Sequence, residues 1–296
     1  MKVALALIRR NTKLFFKDKG MFFTSLITPA ILLLLYVTFL SGVYRDSFAL
    51  SLPIDIIPEK VINGLVGGQL ISSLLAVSCV TVAFCSNFLM VQDKVSGARK
   101  DFGITPVSHS VMSLSYYVAA FLSTLIVCFC ALVISLIYIA CVGWYLSLVD
   151  VLAIVLDIIL VTLFGMALSS VINLFLTSQG QISAVGSIVS SCYGFICGAY
   201  MPISSFGDWL RNTVAFLPGT HGTSLMRNHA MRGAIAELDK LGVASESLNQ
   251  LRDAVDCNIY CFDNLVSTSV SYLILIGTTL ALLAVYLILN KKVKRK

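Results

Sequence analysis

Residues that could carry out catalysis are sparse in this 296-residue sequence, and none forms a familiar catalytic motif. The zinc-protease pattern H-E-x-x-H and the nucleophile pattern G-x-S-x-G are absent, and no predicted helical face carries paired carboxylates. The phosphate-binding pattern G-x-x-x-x-G-K-[S/T] is absent as well. We therefore expect a chain that is not an enzyme and binds no cofactor or metal itself. If ATP drives it, a separate chain binds the ATP and Mg²⁺.

One ionisable residue inside an apolar segment is a candidate site. It is Asp157, the seventh residue of the segment that begins at 151. Acids inside membrane segments often mark a path for a substrate or an ion. Asp157 is accordingly a candidate for a substrate path or a subunit contact. The alternative is an acid that snorkels toward water or faces it directly.

A row of small residues recurs every four positions between 186 and 198, which would leave one face of a helix nearly smooth. Such a face lets another helix approach closely. The partner could lie in the same chain or in another subunit, and the sequence leaves both open. The row consists of Gly186, Ser190, Gly194 and Gly198.

Cysteine and histidine offer few further sites. Seven of the nine cysteines lie in apolar segments and are expected to act as small apolar residues. Cys257 and Cys261 lie together in a polar segment, where a disulfide or metal pair is a minor alternative. His221 and His229 are eight residues apart and are predicted to be surface residues rather than a ligand pair.

The elements that must position these residues are membrane helices. Mean hydropathy is +0.91, and 12% of the residues are charged, against about 25% in soluble domains. Continuous apolar runs of about 20 residues fit helices that cross a bilayer core, whereas a β-barrel would show alternation. The sequence predicts an all-α integral membrane protein with spans near 21–40, 65–91, 113–142, 151–176, 182–201 and 266–289.

The distribution of basic residues predicts the orientation. Residues before the first span, after the second and after the sixth contain fourteen basic residues against three acids, whereas the other side has seven against eleven. Basic segments stay in the cytoplasm, so both termini are predicted to be cytoplasmic. The net charge of +6 then reflects topology and anionic lipid, and no nucleic-acid partner is expected.

Outside the spans, four segments are distinguished. Residues 1–20 combine basic and apolar residues, as in a helix lying in the headgroup plane. The apolar run that follows them is too long for a cleaved signal peptide, so a retained first span is favoured. Residues 92–110 form a cytoplasmic loop and 291–296 a basic tail. Residues 202–264 form a structured outer loop, with helical spacing at 206–217 and an expected pair of Arg252 with Asp256.

Three of these segments together resemble the ABC-2 type transporter permease family, the six-span membrane subunits of bacterial ABC exporters of the multidrug or antibiotic type. Residues 10–19 (RNTKLFFKDK) resemble the family's basic amphipathic entry into the first span. Residues 92–107 (QDKVSGARKDFGITPV) resemble its cytoplasmic loop after the second span. Residues 198–202 (GAYMP), followed by the runs WLR at 209–211 and FLP at 216–218, resemble its outer re-entrant segment.

The resemblance implies a role for the loop after the second span. In the family this loop docks on the nucleotide-binding ATPase subunits and transmits closure to the helices. It also implies a second permease chain, identical or paralogous, and a location as a multi-pass protein of the plasma membrane. The positions that correspond to the ATPase-coupling loop are Asp93, Lys94, Ser96, Gly97, Arg99, Lys100 and Asp101.

The function expected from this resemblance is export of an amphipathic drug, peptide, lipid or glycan, with ATP hydrolysed by the partner. An ion-coupled secondary transporter is one alternative, which predicts buried charges in several spans and an internal repeat. A membrane scaffold or immunity protein that transports nothing is the other, which predicts no dependence on a nucleotide-binding partner. The length of the outer loop leaves the substrate open.

Overall fold

The computed structural model describes residues 2–51, 57–98, 107–262 and 264–293, and these residues are mostly helical. Two short strands, β1 (Ile259–Cys261) and β2 (Asn264–Val266), pair in an antiparallel hairpin. The helices, numbered here in chain order, are α1 Lys2–Lys17, α2 Lys19–Leu35, α3 Ser41–Ser51, α4 Glu59–Val95, α5 His109–Val142, α6 Leu148–Phe175, α7 Gln179–Ile196, α8 Asp208–Ala215, α9 Pro218–Lys240, α10 Ser245–Ala254 and α11 Thr268–Val293.

Within the described residues, five segments are long and apolar enough to cross a membrane. The first of them joins α2 and α3 through one π-helical turn at Tyr36–Leu40. The predicted fifth span, 182–201, corresponds to α7, which has 18 residues and begins with a polar turn. The structure thus supports a helical membrane protein, and the count of six spans stays a prediction. The five segments are Lys19–Phe48, Glu59–Val95, Val111–Val142, Leu148–Phe175 and Thr268–Asn290.

Polar side chains define where several helices begin. The Asp18 carboxylate accepts the backbone N–H of Met21 at the start of α2. Ser147 and Asp150 form a reciprocal capping box at the start of α6. Ser178 caps α7 through the backbone N–H of Gln181. Because these caps satisfy N–H groups that have no partner within the helix, the short polar breaks between apolar runs become helix starts.

Helix α4 forms the centre of the bundle and contacts α2, α5, α6, α7 and α9. Its most apolar stretch is buried along its entire length. Small residues allow these helices to approach closely: a Cβ added to Gly68 would lie 2.8 Å from the carbonyl oxygen of Ala230 in α9. A Cβ added to Gly165 of α6 would lie 3.0 Å from the Cα atom of Val80 in α4. Close packing of this kind is how helices associate in lipid.

Two contacts define one end of the bundle, called here the α1 end. Arg10 of α1 binds Asp93 near the C-terminus of α4. Asn290, near the C-terminal end of α11, donates to Ser113 near the start of α5. Helix α1 and the C-terminal part of α11 therefore lie at the same end of the bundle.

The segment predicted as an outer loop contains α8, α9, α10 and the β-hairpin. The sequence does not predict helix α9, because its first two turns consist of small and polar residues, yet it packs against α4, α6 and α11. Pro218 at its first turn favours the helix start. The predicted pairing of Arg252 with Asp256 is wrong: Asp256 pairs with Arg227 of α9, because the chain leaves the helical path after α10.

Candidate functional site

A groove runs between α2, α4 and α7 from the α1 end. Its first part is a cavity of about 650 Å³, and its second part, between α2 and α7, has a volume of about 520 Å³. The two parts share Ile27, Thr28, Ser190 and Ser191, so they form one continuous groove. We refer to it below as the α2–α7 groove.

Helical spacing brings hydroxyl groups together on both walls of the α2–α7 groove. Thr24 and Thr28 are four residues apart on α2, and Ser183, Ser187 and Ser191 are four apart on α7. Residues four apart lie on the same helical face. The groove is thus lined by hydroxyls on two facing helices.

Aromatic residues close the end of the groove that lies away from α1. The hydroxyl of Tyr36 donates to the carbonyl oxygen of Ala199 over 3.0 Å. The hydroxyl of Tyr200 donates to the carbonyl oxygen of Ser190 over 3.1 Å. These bonds fix the turn after α7 across the groove, so the wall there is held by side chains from two segments.

The predicted small-residue row divides between different contacts. Gly186 faces the ring of Phe88 in α4, where an added Cβ would lie 3.3 Å away. Ser190 lines the groove, and Gly194 lies under the ring of Tyr200. Gly198 lies beyond the end of α7 in a turn with φ of 73°, which glycine adopts without strain. The structure thus shows contacts of this row within the chain itself.

A buried ion pair lies behind the closed end of the groove. The Arg227 guanidinium binds the Asp256 carboxylate over 3.0 Å, with exposed fractions of 1% and 5% for the two side chains. Arg227 also donates to the hydroxyl of Ser73 over 3.1 Å and to the carbonyl oxygen of Gly198. One side chain of α9 therefore connects α4, the turn after α7 and the segment after α10.

Asp256 is held from three directions. Its carboxylate accepts the backbone N–H groups of Ile203 over 2.7 Å and of Ser204 over 3.1 Å, besides Arg227. Burial raises the pKa of Asp256, and Arg227 with the two N–H groups opposes that rise. The backbone of Asp256 has φ of 52°, a strained value for a residue with a side chain. The surrounding hydrogen bonds compensate for this strain.

Asp157 is fully buried at the meeting point of α6, α9 and α11. One carboxylate oxygen bonds the His229 Nδ1 over 2.6 Å, and the other accepts the Tyr272 hydroxyl over 2.7 Å. His221, also fully buried, bonds Ser271 of α11 through Nδ1 over 3.1 Å. The prediction that His221 lies at the surface is wrong, because the face of α9 that carries His221 packs against other helices of the bundle.

At the α1 end, Asp93 and Lys94 of the predicted ATPase-coupling loop bind residues of neighbouring helices. Asp93 accepts hydrogen bonds from Arg10 over 2.7 Å and from the hydroxyl of Tyr116 over 2.5 Å. The ammonium group of Lys94 donates to the carbonyl oxygens of Leu174 and Leu176 at the end of α6. The end of α4 is therefore tied to α1, α5 and α6.

The remaining residues of that loop are partly outside the described ranges. Ser96 is the first residue after α4 and is exposed, and Gly97 follows in a turn with φ of 85°. Arg99, Lys100 and Asp101 lie outside the described residues. Elsewhere, Cys257 is buried and the thiol of Cys261 contacts the carbonyl oxygen of Ala215 over 3.7 Å, so the two sulfurs are not bonded.

Sequence reasoning did not single out the groove hydroxyls or the Arg227–Asp256 pair. The four-residue spacing of Thr24 with Thr28 and of the α7 serines is visible in the sequence and could have indicated two polar faces. That these faces oppose each other depends on how α2 and α7 pack. Arg227 and Asp256 are 29 residues apart and gave no local signal.

Residues 3–230 match the sequence profile of the family described as ABC-2 type transporter, and the chain belongs to this family. Among curated proteins, no sequence matches the chain. Membership makes the chain a membrane component of an ABC transporter and implies association with ATP-binding subunits. With its apolar helices, it is a multi-pass membrane protein.

Proposed function

We propose that this chain is the permease subunit of an ABC exporter and that an amphipathic substrate moves along the α2–α7 groove. The groove is the observation that carries this proposal. Its walls are rich in hydroxyls toward the α1 end and apolar toward Phe195 and Tyr200. A path with both kinds of lining suits a molecule that has a polar and an apolar part.

The contacts of Asp93 and Lys94 offer a route for coupling. An ATP-binding subunit docked on the segment that follows α4 would push against a helix end bonded to Arg10, Tyr116 and the last turn of α6. Because the end of α4 also lies beside the groove through Gln92, the same push would reach the groove wall. A shift of α4 would thus be transmitted to several helices at once.

The proposed topology has six spans with both termini in the cytoplasm. Helix α7 starts beside Gln92 at the α1 end and extends toward Tyr36 and Ala199. Helices α4 and α11 both end at the α1 end, as an even number of crossings would require. We place this end in the cytoplasm because α1 is basic, and we propose the plasma membrane as the location and a second permease chain, identical or paralogous, as partner.

The test is co-purification of the tagged chain with an ATP-binding subunit, followed by measurement of ATP hydrolysis by the complex. We expect Gly97→Pro, or Arg99→Glu combined with Lys100→Glu, to abolish association and stimulated hydrolysis. The charge-matched control is Lys240→Glu with Arg252→Glu, two exposed residues of α9 and α10, which should leave both unchanged. If association survives the loop variants, the docking assignment is wrong. If no ATP-binding subunit is recovered with the unmodified chain, the exporter proposal fails.

A further inference from the structure

We propose that the α2–α7 groove binds an amphiphile whose head group donates hydrogen bonds and carries no negative charge. The head would lie at the α1 end, and the hydrocarbon would extend toward Phe195. This inference rests on the proposed function and adds the chemical class of the substrate.

Unpaired hydroxyls are the first observation. Among the described residues, Thr24, Thr28, Ser187, Ser190 and Ser191 have side-chain hydroxyls without a hydrogen-bond partner. Many helical hydroxyls donate to the carbonyl oxygen four residues before them, as Thr38, Ser78 and Thr81 do, and Ser183 does so at the groove. Outside the groove, the described residues Thr12, Ser135 and Thr162 are also without a partner, but they are scattered over three helices.

The concentration of unpaired hydroxyls in one groove indicates a polar occupant. A hydroxyl without a partner is costly in an apolar environment. Five such groups facing one groove would be satisfied by water or by a ligand that hydrogen-bonds along its length. An occupant that is purely hydrocarbon would offer none of them a hydrogen-bond partner.

Charge is the second observation. Among the described lining residues, Asp18 is the one that carries a charge, and the amides of Gln92 and Gln179 lie at the same end of the groove. Asp18 is exposed and uses Oδ1 for the N–H of Met21. Lys17 and Lys19 flank it in sequence but do not line the groove. A head group with an N–H or O–H donor can therefore bind this carboxylate, whereas a phosphate or carboxylate would be repelled.

The other half of the groove is apolar. It is lined mainly by Ile31, Leu35, Leu40 and Phe195, together with the rings of Tyr36 and Tyr200, whose hydroxyls are already bonded to carbonyl oxygens. From Gly20 to Tyr36 the groove follows about 24 Å of helix at 1.5 Å per residue. A polar head and a hydrocarbon chain can thus lie along it end to end.

The experiment uses the complex with its ATP-binding subunit in phosphatidylcholine nanodiscs and two photoreactive probes. Both probes carry the same diazirine-bearing alkyl chain, and one has a primary amine head while the other has a phosphate monoester head. Mass spectrometry of the labelled peptides reports the site. We expect saturable labelling of α2 and α7 by the amine probe, about tenfold above that by the phosphate probe, since one charge contact at close range is worth that much.

Variants separate the two features of the groove. Asp18→Asn keeps a helix cap, because asparagine caps as well as aspartate, and should bring the two probes to similar labelling. Ser187→Trp fills the groove and should remove labelling by both. The matched controls are Asp46→Asn, an exposed acid of α3, and Ile188→Trp, an exposed neighbour on α7 outside the groove. Both controls should label as the unmodified chain does.

The inference would be overturned by equal labelling by both probes, by labelling that does not saturate, or by no effect of Asp18→Asn. Disulfide cross-linking between two chains through Ser187→Cys, absent from the parent, would instead make a second copy the occupant and overturn it too. If Ser187→Trp stops stimulated ATP hydrolysis while the probes show no selectivity, the exporter stands and the ligand class falls. If no ATP-binding subunit associates, the exporter falls, and the chain alone still reports the head-group preference.

Discussion

At the scale of single residues, Arg227 bonds segments that are distant in sequence. Its guanidinium bonds Asp256, Ser73 and the carbonyl oxygens of Val255 and Gly198 while being almost fully buried. A buried guanidinium is costly to desolvate, and good hydrogen-bond geometry is what compensates. Removing either partner of the ion pair leaves the other charged and unpaired inside the protein.

We predict that Arg227→Met lowers the free energy of unfolding by about 3 to 5 kcal/mol, because Asp256 then remains as an unpaired buried charge. Thermal unfolding of the purified chain in detergent measures this. Arg211→Met is the matched control, since Arg211 pairs with Asp208 at the surface, and its effect should stay below about 1 kcal/mol. Similar effects of the two substitutions would contradict a special role for the buried pair.

At the scale of elements, α1 and α4 act as a joined pair. Arg10 contacts Asp93, and the apolar side of α1 packs through Phe15 against residues that include Met90 of α4 and Met112 of α5. An amphipathic helix held only by lipid would need no such specific contact. The position of α1 is therefore fixed by specific contacts with α4 and α5, in addition to any contacts of its basic and apolar residues with lipid.

We predict that Arg10→Met loosens α1, because its ion pair with the largely buried Asp93 is lost. Hydrogen–deuterium exchange should show faster uptake across Lys2–Lys17 and little change in α6. Arg9→Met, at an exposed neighbouring position on the same helix, serves as the control and should exchange like the unmodified chain. Equal uptake in both variants would mean that lipid contacts alone hold α1.

The elements also show how far the sequence could predict this molecule. Apolar length alone located α4, α5, α6 and α11, because lipid imposes a long continuous signal. Helix α9 escaped prediction because its first two turns consist of small and polar residues, and because its buried contacts, such as those with Gly68 and Asp157, are with residues distant in sequence. The groove hydroxyls had a visible period, but their meeting depends on tertiary packing.

At the scale of the whole molecule, the two ends of the helical path lie together. Helix α1 and the C-terminal part of α11 are both at the α1 end, whereas Gly233 of α9 packs against the turn at Tyr145, at the other end of α5 and α6. Five spans would place the two termini on opposite sides of the membrane. If α7 crosses as a sixth span, the number is even and both termini lie on the same side.

We predict that epitopes fused to both termini are accessible to antibody only after cells are permeabilised. An epitope inserted after Gly242, an exposed turn between α9 and α10, should be accessible in intact cells. This insertion serves as the control for correct orientation. A C-terminal epitope that is accessible in intact cells, with the N-terminal one protected, would mean that α7 does not cross and that five spans is the correct number.

The complete burial of α4 has a consequence for how the sequence can vary. Helices that face lipid accept almost any apolar side chain, because lipid adapts to their shape. Helix α4 meets protein in every direction along its apolar stretch, so volume rather than hydrophobicity limits each position. In a saturation mutagenesis experiment, closely packed positions of α4 such as Gly68 would reject any larger side chain, alanine included, whereas the lipid-facing side of α11 would accept leucine freely.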